Sequence, residues 1–201
     1  VEVGGKVERE FIAELAPADA TPDFYATLDA REWRGKTLKF CVEKTFEDDA
    51  FAPVYQSAQP DGGQDCYAEK YRPQFHFSPR RGWTNDPNGL VFYNGEYHLF
   101  YQHNPYGVRW NNMTWGHAAS PDLLHWTEFG DAIEPDPLGT IFSGSAAVDW
   151  KNTTWFQKDP NGLPPFVCMF TYNGPNMRAG NPASQGLAYS VDGGKTFEKF
   201  E

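Results

Sequence analysis

The chain of 201 residues carries a formal net charge of −10 at neutral pH, with a sequence pI near 4.9. A field of this sign repels phosphate backbones and anionic lipid headgroups, which excludes nucleic acids and membrane surfaces as preferred partners. Hydrophobic residues make up 40% of the chain, which is typical of a folded protein, and no apolar run approaches the roughly 20 residues of a transmembrane helix, so membrane insertion is not expected.

Residues 1–70 are predicted to form a small N-terminal β module. Within Thr37–Glu43, three apolar side chains alternate with their neighbours, namely Leu38, Phe40 and Val42. This period of two is typical of a half-buried strand. No motif in this part indicates a role, so steadying the rest of the protein and binding carbohydrate both stay open.

The cysteine pattern indicates neither a metal site nor a disulfide framework. The cysteines Cys41, Cys66 and Cys168 are odd in number and lack C-x-x-C spacing, so we expect neither a zinc site nor a complete disulfide framework. Buried free thiols are favoured, with a Cys41–Cys66 bridge as the alternative.

The triplets that begin at Asn112 and Asn152 fit N-glycosylation acceptors if the protein passes through a eukaryotic export pathway, although such triplets also arise by chance.

From Tyr71 onward the sequence is rich in predicted strands. The apolar run Leu90–Tyr93 is followed by Asn94-Gly95 and then by Glu96–Tyr101. Asn-Gly between two such runs is typical of a tight β-hairpin. This part therefore begins with an antiparallel pair of strands.

A similar heptapeptide occurs twice, at Gly116–Asp122 and at Gly186–Asp192, 70 residues apart. In each copy the Asp precedes a tight turn and then an aromatic residue, Trp126 or Phe197, so the carboxylate is predicted to accept N–H groups of the turn. These aspartates are therefore interpreted as structural.

Repetition at this interval in an all-β chain favours successive blades of a β-propeller. Two unrelated hairpins are the alternative. Residues 71–201 can supply only about two blades, which would leave open strand edges, so we expect further blades to follow Glu201.

The segment Trp83–Gly89, with the sequence W-T-N-D-P-N-G, is predicted to lie directly before the Leu90 strand. Pro87 restricts Asp86 to an extended conformation, and Asn88-Gly89 favours a turn. A carboxylate held in a fixed direction at the end of a strand suits nucleophilic chemistry.

The same tetrapeptide, D-P-N-G, recurs at Asp159 and serves as an internal comparison. It runs into Pro164-Pro165, where a strand cannot begin, whereas the first copy leads into an aromatic hairpin. We therefore interpret Asp159 as a surface turn. For Asp86 the local sequence by itself leaves a turn and a catalytic carboxylate equally open.

Four blocks between Phe75 and Asp149 decide between these readings, because in this order they resemble the conserved blocks of glycoside hydrolase family 32, the invertases, inulinases and levanases. The blocks are Trp83–Gly89, Phe100–Pro105, Trp115–His117 and Phe142–Ser145. The resemblance implies an all-β fold with a five-bladed propeller, of which the chain would hold about the first two blades in residues 71–201. It also implies a retaining mechanism acting on terminal fructose.

The resemblance assigns a role to each matched residue. Asp86 resembles the nucleophile that attacks the anomeric carbon of the fructosyl unit. Six further residues match positions that bind substrate: Trp83, Asn85, Gln102, Trp110, Phe142 and Ser143. Trp115 is expected to belong to the core instead. Thr84 departs from the family, which usually has Met there, and this difference affects the expected shape of the pocket wall.

The acid/base of the family is a Glu in a Glu-Cys block, which does not occur in these residues. The resemblance therefore implies that this stretch alone is inactive, since losing a general acid removes about 10² to 10⁴-fold in rate. The five histidines lack metal-site spacing, so no metal and no cofactor are implied.

Sucrose or a fructan polymer is the implied partner, and such external substrates favour a secreted, periplasmic or cell-surface protein. A fructosyltransferase and a non-catalytic fructan-binding propeller remain the alternatives to a hydrolase. Sucrose, β-2,1-linked fructans and β-2,6-linked fructans all stay open as substrates, with either water or a sugar as the acceptor.

Overall fold

The computed structural model describes residues 1–42, 49–59, 62–63, 66–174 and 182–200. In these ranges helix is confined to one 3-10 turn at Arg31–Trp33, so the predicted all-β class is confirmed. None of the helical structure in the described ranges is long and apolar enough to span a bilayer. The strands, in chain order, are β1 (Glu2–Val3), β2 (Lys6–Val7), β3 (Leu38–Lys39), β4 (Trp83–Tyr93), β5 (Glu96–Asn104), β6 (Thr114–Ser120), β7 (Thr127–Ile133), β8 (Thr140–Val148), β9 (Phe166–Asn173), β10 (Ala183–Ser190) and β11 (Glu198–Lys199).

Strands β4 to β11 form two four-stranded antiparallel sheets. One has the order β4-β5-β6-β7 and the other β8-β9-β10-β11, so strands that follow each other in sequence are neighbours in space. Each sheet is thus a simple meander, the form of a propeller blade. The repeat in the sequence falls on the third strand of each blade, with Gly116 in β6 and Gly186 in β10.

The hairpin between β4 and β5 forms at the predicted place. Tyr93 pairs with Glu96 across the turn, and Asn94 and Gly95 have φ values of 50° and 85°. Positive φ at both central residues matches the right-handed twist of the strands. The predicted hairpin is therefore confirmed.

The repeated aspartates, Asp122 and Asp192, accept N–H groups of the turns that follow them, as predicted. Asp122 Oδ1 accepts hydrogen bonds from the backbone N–H groups of Leu124 and His125, at 2.9 and 2.8 Å. Asp192 Oδ1 accepts equivalent bonds from Lys195 and Thr196, both at 3.0 Å. Each carboxylate thus closes the turn between the third and fourth strands of its blade.

Aromatic side chains from both blades form one shared core. Phe100 of β5 lies edge-on to Phe166 of β9, with ring centroids 5.5 Å apart, and Trp115 of β6 lies 6.3 Å from Phe170 of β9. All four rings are fully buried. The first strands of the two blades, β4 and β8, contact each other, so the packing of the two sheets sets their separation.

The N-terminal part is less regular than predicted. Its sheet has the order β2-β1-β3, but β3 comprises only Leu38–Lys39. Phe40 and Val42 are 44% and 48% exposed, so the prediction of a half-buried strand over Thr37–Glu43 is wrong, and Glu43 lies outside the described residues. β1 and β3 are antiparallel, and Lys39 pairs with Glu2, the first residue of β1, so the side chains after Lys39 have no strand partner in β1.

The three cysteines are free in the structure. Cys168 is buried, and burial raises the pKa of its thiol. Cys41 is exposed and Cys66 half-buried, so the favoured expectation of buried thiols is correct for Cys168 alone. Cys41 follows the exposed Phe40, where no packed layer covers the chain.

The repeated glycines give the first prediction. A Cβ atom at Gly116 would lie 2.3 Å from ring carbons of Tyr101, and one at Gly186 would lie 2.5 Å from the Phe170 ring. Because the ring of the second strand occupies this space, Gly116→Ala and Gly186→Ala should each lower the free energy of unfolding by about 1–3 kcal/mol. Urea denaturation of the protein measures the loss.

Tyr101→Phe provides the control. The Tyr101 hydroxyl is buried and has no hydrogen-bond partner in the described part of the chain, so its removal should leave stability unchanged or raise it. Glycine variants that unfold at the wild-type urea midpoint would contradict the proposed ring contact.

Candidate active site

Strand β4 carries the D-P-N-G block itself. Thr84 pairs with His103 and Pro87 with Tyr101, so Asn85 and Asp86 together stand opposite the single residue Gln102. Two residues facing one is a β-bulge. The expectation that this block precedes the strand is therefore wrong. Pro87 can lie within β4 because β4 is an edge strand of its sheet, where a missing N–H breaks no ladder bond on the open side.

Strand β8 has a matching irregularity. Phe142 pairs with Thr171 and Gly144 with Phe170, which leaves Ser143 unpaired between them. A Cβ atom at Gly144 would lie 2.0 Å from the carbonyl oxygen of Met169, so only glycine fits. The bulge turns the exposed Ser143 side chain away from its own sheet.

The two bulges meet at the Asp86 carboxylate. Ser143 Oγ donates a hydrogen bond to Asp86 Oδ2 at 2.8 Å, and Asn85 Nδ2 donates one to Asp86 Oδ1 at 3.2 Å. Trp83 Nε1 in turn donates to Asn85 Oδ1 at 3.0 Å. Asp86 is nevertheless exposed. The carboxylate is thus bonded at both oxygens and still open to solvent, an arrangement that suits attack on a bound electrophile.

Asn88 was not predicted as part of the site. Its side chain is buried; Oδ1 accepts a hydrogen bond from Gly144 N at 3.2 Å, and Nδ2 donates to the Asp86 carbonyl oxygen at 3.3 Å. Asn88 therefore joins the two bulged strands beneath the carboxylate. The expectation of a turn at Asn88-Gly89 is wrong, because both residues continue β4. A buried amide side chain in an edge strand could have indicated the bridge from Asn88 to Gly144.

Two of the predicted aromatic residues contact each other beside the carboxylate. Trp110 lies edge-on to Phe142, with ring centroids 6.1 Å apart, and Phe142 directly precedes Ser143. Trp110 is 48% exposed. Trp115 instead is fully buried, as predicted, and its Nε1 donates to the Phe142 carbonyl oxygen at 3.1 Å, which fixes the backbone next to the bulge.

Gln102 stands opposite the bulge of β4 but is not bonded to Asp86. Only 2% of the residue is exposed. Its Nε2 has no hydrogen-bond partner among the described residues. A buried N–H group without a partner costs free energy, so this amide is a donor that a ligand beside the bulge could satisfy.

The second D-P-N-G copy behaves as predicted for a surface turn. Asp159 Oδ1 accepts a hydrogen bond from the N–H of Asn161 at 2.9 Å, and the Asp159 carbonyl accepts one from Gly162. Identical local sequence thus gives two different structures. Context decides, since Asp86 lies in β4 and contacts Ser143 of β8, whereas Asp159 lies in the connection between β8 and β9.

The Asp86 carboxylate is exposed on the protein surface. Two surface cavities, of about 340 and 760 Å³, are lined by other residues. No group of three or more potential metal ligands occurs within the ranges that the structure describes.

Three comparisons relate this geometry to known proteins. The sequence pattern described as the glycosyl hydrolases family 32 N-terminal domain matches residues 76–201. A levanase of Bacillus subtilis is 51% identical over 134 residues, which cover 67% of this chain and 19% of that protein. An extracellular exo-inulinase of Aspergillus niger is 44% identical over 148 residues, covering 67% and 27%.

Solved structures give the same relationship. The crystal structure of the Aspergillus awamori exo-inulinase superimposes with a TM-score of 0.58 at 43% identity, over 67% of this chain and 28% of that one. A β-fructofuranosidase of Schwanniomyces occidentalis, complexed with fructosyl-erythritol, gives 0.57 at 42% identity over 65% and 25%. The chain therefore spans between about a fifth and just over a quarter of the length of these relatives.

A histidine next to the site yields a prediction on pH. His103 Nδ1 lies 2.7 Å from Asp131 Oδ1, and its Nε2 lies 2.9 Å from the Arg81 carbonyl oxygen. Both partners are acceptors, so both ring nitrogens should carry protons. Burial lowers the pKa of His103, but the hydrogen bond and charge of Asp131, helped by Glu128, outweigh it and raise the pKa above 6.5.

Because this pKa is higher in the folded state, the stabilisation should be fully present below about pH 6.5 and be lost as the pH rises through the folded value. An NMR titration of the ring protons measures it, and Asp131→Asn should lower the pKa. His117 is the internal control, since burial and the neighbouring His98 lower its pKa to about 3. A His103 pKa at or below 6.5 would contradict the doubly donating ring.

Proposed function

Because the chain belongs to glycosyl hydrolase family 32, we propose that residues 71–201 are the nucleophile-bearing part of a propeller enzyme that releases terminal fructose from sucrose or fructans. One observation carries this proposal. The Asp86 carboxylate is exposed, yet both of its oxygens accept hydrogen bonds, from Ser143 and from Asn85. A carboxylate that is fixed in direction and free to approach a ligand has the properties of a nucleophile.

The proposed reaction has two steps with retention of configuration. Asp86 attacks the anomeric carbon of the fructosyl unit and forms an ester, while the leaving oxygen takes a proton from a second carboxyl group. Water, deprotonated by that same group, then cleaves the ester. Retaining glycosidases hold the two carboxyl groups about 5 to 5.5 Å apart.

The second carboxyl group is proposed to come from blades beyond these residues. The chain spans only 19% and 27% of the levanase and exo-inulinase that it matches, and no Glu-Cys block occurs in it. Residues 71–201 alone are accordingly proposed to be inactive, and five blades are proposed to close the ring around Asp86.

The other candidate residues divide into three groups by their contacts. Asn85 and Ser143 orient the nucleophile directly. Trp83, Trp110 and Phe142 offer aromatic faces to the apolar side of a sugar ring. Gln102 is proposed to bind a sugar hydroxyl, because its buried Nε2 has no partner among the described residues.

The names of the relatives support the substrate class and the location. They include a levanase, an exo-inulinase and an invertase, and the exo-inulinase is described as extracellular. Polymeric fructans cannot enter a cell intact, so a secreted or cell-surface enzyme fits such substrates. We therefore propose an exported enzyme acting on sucrose or fructans, with no cofactor.

The nucleophile assignment is tested by Asp86→Asn in the full-length enzyme. The amide cannot form the ester, so fructose release from sucrose, inulin and levan should fall by about 10³-fold or more. Released fructose, measured by a coupled assay, reports the loss.

The chain contains its own matched control in the second D-P-N-G copy. Asp159→Asn changes the same tetrapeptide in a surface turn and should leave turnover at the wild-type level. Near-normal fructose release from Asp86→Asn, or equal losses in both variants, would refute the assignment.

The orientation of the nucleophile by Ser143 is tested separately. Ser143→Ala removes a hydrogen bond to a charged acceptor, which contributes about 1.5–3 kcal/mol, so kcat should fall by roughly 10- to 100-fold. Ser145→Ala, two residues along β8, removes a hydroxyl that makes no hydrogen bond to Asp86 and should leave kcat unchanged. Equal kcat values for the two variants would show that the Ser143 contact does not act on the reaction.

A further inference from the structure

We propose that an N-terminal strap, residues 9–12, positions the loop that carries Trp110, with Asn112 as the positioning residue. The β5–β6 loop consists of residues 105–113. The strap lies outside the family match, which begins at residue 76. The inference rests on the proposed function, because it assigns the strap a role in substrate binding at that same site.

The strap and the loop are joined by a pair of short hydrogen bonds. Ile12 N donates to Asn112 Oδ1 at 2.8 Å, and Asn112 Nδ2 donates to the Ile12 carbonyl oxygen at 2.7 Å. Asn112 is only 3% exposed. One buried side-chain amide thus takes the place of a strand neighbour for the backbone of the strap.

The same amide also holds the interior of the loop. Asn112 Nδ2 donates a second hydrogen bond to Asn104 Oδ1 at 2.9 Å, and this oxygen also accepts Tyr106 N at 3.0 Å. Asn104 Nδ2 donates to the Arg109 carbonyl oxygen at 2.8 Å. Asn104 and Asn112 therefore connect the two ends of the loop and fix the peptide that leads into Trp110.

Two further contacts anchor the strap on either side. The Phe11 ring stacks on Tyr106, with centroids 4.3 Å apart and an interplanar angle of 27°. Arg9 Nη2 lies 2.5 Å from Glu134 Oε2, just beyond the end of β7, and Arg9 is 7% exposed. The strap is therefore fixed against both the loop and the first blade, rather than lying free on the surface.

These contacts act on Trp110. Trp83 and Phe142 lie in strands β4 and β8, whereas Trp110 lies in the β5–β6 loop. Trp110 is 48% exposed and contacts Phe142, which adjoins the Ser143 bulge. Because Asp86 is held by bonds within β4 and β8, loosening the strap should move the sugar wall and leave the nucleophile in place. The strap is thus expected to affect KM rather than kcat.

The strap also bears on modification of Asn112. Both hydrogens of its amide are used, one by Ile12 and one by Asn104. A glycan on Nδ2 would have to replace one of these bonds in a buried place. Asn112 is therefore assigned to positioning, not to glycosylation.

The test is Phe11→Ala in the full-length enzyme, alone and combined with Trp110→Ala. Loss of one aromatic contact should raise KM for sucrose about two- to tenfold, with kcat unchanged. In the Trp110→Ala background, Phe11→Ala should add no further change in KM, because the residue it positions is gone. Phe40→Ala, at an exposed aromatic residue of the N-terminal part that lies outside the strap, is the matched control and should leave KM unchanged.

Phe11→Leu keeps apolar bulk without the stack and serves as the milder variant if Phe11→Ala does not fold. Equal KM changes in both backgrounds, a loss confined to kcat, or wild-type kinetics in all strap variants would overturn the inference. ¹⁹F NMR of fluorotryptophan, with Trp110 assigned by its absence in Trp110→Phe, adds a readout independent of turnover. A Trp110 line moved by Phe11→Leu supports the strap even if wild-type enzyme releases no fructose, an outcome that would refute the proposed function alone.

Discussion

The hydrogen bond from Ser143 to Asp86 is the interaction on which the site depends. It joins residues that are 57 positions apart and belong to different sheets. Both partners lie in bulges, so each strand gives up regular pairing at the point where the two blades meet. Gly144 allows the bulge of β8 within the second sheet, because any Cβ there would lie 2.0 Å from the carbonyl oxygen of Met169 in β9.

The bulged strands β4 and β8 are stabilised by the packing of the sheets to which they belong. This packing forms the shared aromatic core, in which Phe100 and Trp115 of the first blade pack against Phe166 and Phe170 of the second. Buried rings in contact contribute both apolar area and preferred edge-on geometry. The regular, well-packed part of each blade therefore stabilises the bulged edge that presents the carboxylate.

The N-terminal segment is stabilised by individual contacts to the first blade rather than by a packed sheet. Its strands are two residues long, and apolar side chains such as Phe40 stay exposed. It is held instead by specific contacts to the first blade, through Arg9 and Ile12. The alternating pattern around Phe40 predicted a strand incorrectly because a period of two needs a neighbouring sheet to bury one face, and the sequence contains no information on whether one is near.

The sequence by itself determined the local features: the Asn94-Gly95 hairpin, the two Asp-closed turns and the motif around Asp86. Turn geometry depends on φ preferences and hydrogen bonds within a few residues, so it can be predicted from adjacent side chains. The tertiary structure decided that Asp86 lies inside a strand, that Ser143 and Asn88 bridge to it, and that Asn112 binds Ile12 from 100 residues away. These contacts depend on strand register and on which residues permit close approach, and both are fixed only when the two blades pack together.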